Sequence, residues 1–156
     1  MADINWISLV LRFAHILGAI IAVGGAIFAG FVVFPAAHVV PEESRAHFNE
    51  MIRKGFARLV MIAIALLLVS GFYNYLTVEL PQHKGQAIYN VTMGIKILLA
   101  FAVFFFASAL TGKSTAFEGL RKKRKRWLTL NILLALAVIA LGAFLRAVPD
   151  IAMAAN

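Results

Sequence analysis

Between Trp6 and Phe34 the chain runs 29 residues in which only Arg12 and His15 carry an ionisable side chain. A bilayer's hydrocarbon core needs about 20 apolar residues to be crossed as a helix, so this stretch can only be satisfied by spanning a membrane. Three more apolar runs follow, and the charged residues are confined to the connections between them. The composition, 62% hydrophobic and 14% charged, is that of an integral membrane protein. The reading is all-α: a single domain over 1–156, built as a four-helix transmembrane bundle, up-down-up-down, with spans near 6–34, 56–78, 88–110 and 127–148.

Local signals mark the ends of these spans. Trp6 is an interfacial anchor, Pro35 ends the first span and Pro149 stops the fourth. Glu42 and Glu43 open a helix after Pro41, and E-E-S-R-A-H-F-N-E-M-I-R-K can run on into the second span as one long helix. A polar loop with Pro81 and Gly85 separates spans two and three. The first run lacks a basic leader and is about twice the length of a signal-peptide core, so it is expected to remain as a span.

Orientation follows from the basic residues. Four Lys or Arg lie between Pro35 and Arg58 and seven between Lys113 and Arg126, but only Lys84 lies between spans two and three. The positive-inside rule places both basic connections in the cytoplasm and both termini outside an inner cell membrane. That topology, with contact to anionic lipid, also accounts for the net charge of +8, so no nucleic-acid partner is expected. The absence of cysteine excludes disulfides, thiolate metal sites, iron–sulfur clusters and covalent c-type haem.

At about 1.5 Å per residue the rare polar groups fall in one outer layer: Arg12 and His15 on the first span, Tyr73 and Asn74 on the second, Lys96 on the third and Arg146 on the fourth. All seven acids (Asp3, Glu42, Glu43, Glu50, Glu79, Glu118 and Asp150) fall in loops or tails. Intramembrane cations without protein counter-ions call for an anionic ligand, water or snorkelling. A non-covalent b-type haem satisfies both halves of this pattern, its iron taking His15 and its propionates taking Arg12, Lys96 and Arg146. Tyr73 or Asn74 would add a hydrogen bond. Gly18, Ala22 and Gly25, with Ala29, form a small-residue face beside His15 that either admits a flat ring or packs another helix. The second axial position stays open: Met93, one turn from Lys96, and His83 in the outer loop are both available, and a vacant position would favour binding of a small ligand.

At Arg12-x-x-His15 with Gly24-Gly25, and at Gly94-Ile95-Lys96-Ile97-Leu98-Leu99, the chain resembles the membrane domain of the copper-resistance D family. It is similar there to the HemJ-type protoporphyrinogen IX oxidases as well. The HemJ-type resemblance implies haem b and porphyrinogen oxidation, with the essential histidine and lysine falling on His15 and Lys96; it departs from that pattern at Val23, where a Trp would precede the glycine. The copper-resistance resemblance implies copper transport through His and Met ligands, but Met1, Met51, Met61, Met93 and Met153 are dispersed. The expected function is thus a haem-binding redox protein, an electron carrier or an oxidoreductase, with quinol or a porphyrin as partner. A copper transporter and a non-catalytic assembly subunit, acting in a homo-oligomer through the Gly/Ala face, are the alternatives.

Overall fold

The computed structural model describes residues 5–154, with side chains through residue 147. Met1, Asp3, Asp150 and Met153 therefore lie outside the described side chains. Four helices dominate: α1 (Trp6–Ala36), α2 (Glu42–Gln82), α3 (Ala87–Thr111) and α4 (Arg124–Ala154), with a one-turn helix, Glu118–Lys122, before α4. No strand occurs among the described residues. All four are long and apolar enough to cross a membrane, so the chain is a multi-pass membrane protein with an all-α four-helix bundle. α1 pairs most extensively with α2 and α3 with α4; α2 against α3 and α1 against α4 close the bundle.

Local chemistry sets the ends. Asn5 caps α1, its side-chain oxygen accepting from the Ser8 N–H at 3.1 Å. α2 begins after Pro41 with Glu42 and Glu43 in its first turn and runs 41 residues, about 60 Å at 1.5 Å per residue, twice the thickness of a hydrocarbon core. The charged segment after Glu42 is thus the projecting half of the second span. The turn from α2 to α3 rests on Gly85 at φ 84°, a left-handed conformation that costs glycine nothing.

Prolines behave differently from expectation. The first helix runs one residue past Pro35 to Ala36, Pro81 lies in the last turn of α2, and the α4 backbone continues through Pro149 to Ala154 rather than stopping at 148. Ahead of the first two prolines the helix widens into a π-turn, Ala29–Val33 before Pro35 and Tyr75–Glu79 before Pro81. A proline clashes with the carbonyl four residues back and cannot donate to it. Shifting the preceding turn to i→i−5 bonding, as from Phe34 N–H to Ala29 and from Leu80 N–H to Tyr75, re-aims those carbonyls without breaking the helix. One consequence is functional: α2 carries Glu79 beyond the end expected at 78, so this acid stands on a helix over the bundle and not in a free loop.

Small residues are buried at several points of the bundle, Ala29, Ala63, Ser70, Ala109 and Ala135, beside larger core residues such as Tyr89, Met93 and Leu145, while Phe13, Ile20, Phe31, Val69, Leu98 and Phe105 face outward. This inversion is the packing of membrane helices, which gain from close backbone approach and leave large apolar side chains to the lipid. Gly18 marks the tightest crossing: a Cβ there would meet Leu67 Cγ at 3.0 Å, Leu66 Cβ at 3.1 Å and the Ala63 carbonyl oxygen at 3.2 Å. At the end bearing the basic connections, Arg53 of α2 is held by Glu50 at 2.6 Å and donates to the Thr111 carbonyl at 3.1 Å, tying α2 to the last turn of α3. Trp127 stacks on Phe106, joining α4 to α3.

Candidate functional site

His15 sits on α1, half-buried, against Ser70-Gly71 of α2. Its Nδ1 lies 2.9 Å from Ser70 Oγ. The Ser70 hydroxyl donates its single proton back to the Leu66 carbonyl, so toward His15 it can only accept. In that arrangement the neutral imidazole carries its proton on Nδ1 and leaves Nε2 unprotonated, and the Leu67 backbone offers the ring a second hydrogen bond. Gly71 makes the space: a Cβ there would stand 3.3 Å from His15 Cε1 and 3.6 Å from Nδ1. Ser70 is fully buried and with Gly71 forms the α2 surface against His15; Tyr73 and Asn74 lie a turn nearer the His83 end of α2. The signal in the sequence was a Ser-Gly pair inside an apolar run, which reads equally as helix packing.

On α3, Tyr89, Met93 and Lys96 form one inward column at i, i+4 and i+7. Lys96 is half-buried and lies across α4, its Nζ 3.6 Å from where a Gly142 Cβ would stand, so glycine at 142 leaves room for the lysine stem. It is within electrostatic range of His15, Glu79 and Arg146. Met93 is packed in an apolar cluster with Tyr89 and Leu145, edged by Tyr75 and Ile97. Arg12 and Arg146 are exposed at the rim of this layer.

A polar cap closes the end of the layer. Tyr89 donates its hydroxyl to the Glu79 carboxylate, and His83 stacks face to face on the Tyr89 ring at 3.5 Å. His83 Nδ1 donates to the Glu79 carbonyl oxygen at 2.9 Å, which again leaves Nε2 as the unprotonated nitrogen of the neutral ring. His83 is buried at 9% exposure, a fixed member of the cap and not a residue of a loose loop. One of the acids expected in loops, Glu79, therefore stands on the bundle, because the π-turn before Pro81 keeps it on α2.

The small-residue face divides. Gly18 is filled by Leu66 and Leu67 of α2 and offers no space for a flat ring. Ala22 and Gly25, by contrast, line an interhelical cavity nearer the basic end, away from His15. Among the described residues no three His, Cys, Asp or Glu side chains are grouped to hold a metal ion. Any metal at His15 would need most of its donors from a ligand of its own, such as a macrocycle.

No family model, curated protein or solved structure matches the chain. The fold and the site stand on their own geometry.

Proposed function

We propose that this protein binds one b-type haem in the layer of His15 and Lys96, at the outer side of an inner cell membrane, and serves in redox chemistry as an electron carrier or oxidoreductase. The observation that carries the reading is the contact of His15 Nδ1 with Ser70 Oγ: with the hydroxyl accepting, Nε2 would be free to serve as a ligand nitrogen, an arrangement by which proteins orient a metal-binding histidine. A porphyrin brings four of its own donors, matching a site with one prepared protein ligand. Bound there, haem would supply an iron that changes charge by one electron.

The chain's own residues divide the remaining tasks. Lys96 and Arg146 would pair with the two propionates, with Arg12 at the rim. Glu79, Tyr89 and His83 cover the outer end and can hold or pass a proton between the carboxylate, the phenol and the imidazole. A quinol or a porphyrinogen is the class of reductant that such a site would take.

The test is an optical spectrum of the purified full-length protein from haem-replete cells, air-oxidised and then dithionite-reduced, with a pyridine haemochrome assay. A Soret band stoichiometric with protein, shifting on reduction and lost in His15→Ala, is the expected result. Colourless, folded protein would overturn the proposal.

A further inference from the structure

The cavity lined by Ala22 and Gly25 lies between the helices toward the basic connections. Its walls are largely apolar and include Phe34, Phe56 and Phe104; Leu59, which also faces outward, brings the cavity to the lipid side. Two polar groups interrupt this lining. Asn131 of α4 is 4% exposed, and its Oδ1 has no hydrogen-bond partner among the described residues. Arg124, half-buried at the start of α4, rests its guanidinium 3.8 Å over the Phe34 ring and has no acid partner among them.

An orphaned amide buried in an apolar wall costs about 1–3 kcal/mol unless something occupies the space and bonds to it. The volume is about 60 Å³. At about 10–15 Å³ for each water position that is room for roughly four to six waters and far too little for a porphyrin; an enclosed benzene needs about 150 Å³, so a six-membered ring would fill this space only in part and extend through its open lipid side past Leu59. A water cluster would find few partners on these walls: Asn131, Arg124 and the accepting side of the Thr111 hydroxyl, whose proton goes to the Ala107 carbonyl at 2.8 Å. A ring bearing an oxygen at each end would use both groups. Arg124 can only donate, and the Asn131 amide can accept from a hydroxyl or, with its two ends exchanged, donate to a carbonyl.

We infer that this cavity is a binding site for the head group of a membrane quinone or quinol, reached from the bilayer, with the ring among Phe34, Phe56 and Phe104 and its two oxygens on Arg124 and Asn131. The amide serves either redox form, because it can meet a carbonyl or a hydroxyl. Binding itself does not depend on the haem proposal; only passage of electrons between the two sites would.

The experiment is equilibrium binding of ubiquinone-1 to the purified full chain in detergent, with empty micelles as the partition control. Wild type and His15→Ala are expected to bind one equivalent saturably, so that failure of the haem site and failure of this one are read separately. Asn131→Leu, which replaces the orphaned amide with an apolar side chain of similar size, should keep the fold, melt no lower than wild type and weaken binding about tenfold, the loss of one hydrogen bond. Arg124→Gln should weaken it by a similar factor. Partitioning indistinguishable from empty micelles, or binding unchanged in both variants, would overturn the inference. So would displacement by oleate together with dependence on Arg124 alone, since the occupant would then be the chain of an acidic amphiphile.

Discussion

His15 and Ser70, 55 positions apart, meet at 2.9 Å across the α1–α2 crossing, and the direction of that hydrogen bond decides which imidazole nitrogen is available. Ser70→Ala leaves the Nδ1 proton buried without its acceptor. Apo-protein stability should fall by about 1–2 kcal/mol, and haem affinity by about 10–100-fold as for other supports of a metal-binding histidine. Thermal melting and haem titration would measure the two effects, and a Ser70→Ala variant with wild-type affinity would remove the histidine from the ligand role.

Gly71→Ala tests the space rather than the bond. The added methyl would stand 3.3 Å from His15 Cε1, so the ring must shift by a few tenths of an ångström, and haem occupancy should drop. Gly24→Ala is the matched control, since nothing lies within 4 Å of its Cβ position, and it should bind haem as wild type does.

Lys96→Met is expected to move two measurements in opposite directions. Taking a half-buried cation out of the bundle should raise the melting temperature of the apo protein, because a long apolar side chain fills the same room beside Gly142 without a desolvation cost. Haem binding should weaken, because a propionate loses its cation. A loss of both stability and haem would mark Lys96 as a structural residue only.

Gly18→Ala should be the most damaging of the glycine substitutions within the spans. Its Cβ would press on Leu66 and Leu67 side chains and on the Ala63 carbonyl, backbone included, and force α1 from α2 at a cost of about 1–3 kcal/mol. Melting in detergent would show it, with Gly55→Ala as the control where nothing lies within 4 Å.

At the basic end, Arg53→Ala frees the Thr111 carbonyl and leaves Glu50 with only Lys54 and Lys113 as partners. The Glu50 pair is partly exposed and counts for little, so the expected loss is about 1 kcal/mol, mostly from the α2–α3 tie. Hydrogen exchange at the end of α3 should rise while the α1–α2 crossing is unaffected.

What the sequence determined by itself is the set of properties that depend on distance along the chain. Hydrocarbon thickness and helical rise convert four apolar runs into four spans, and Ala87–Thr111 agrees with the expected 88–110 to one residue at each end. The long second helix was legible in the acids after Pro41. The intramembrane ionisable residues, His15 and Lys96, were visible for the same reason, as polar groups in runs that should have none. Tertiary structure alone decided which groups face one another. The prolines were read as stops because a local rule forbids them in a helix, yet π-turns absorb two of them, and Glu79 and His83 thereby reach the site. A serine and a glycine in an apolar run have no periodic signal to separate packing from support of a ligand; only the α1–α2 crossing gives Ser70 and Gly71 their meaning. The same crossing fills Gly18 and leaves Ala22 and Gly25 on a cavity, a division that helical spacing cannot express because all three share one face of one helix.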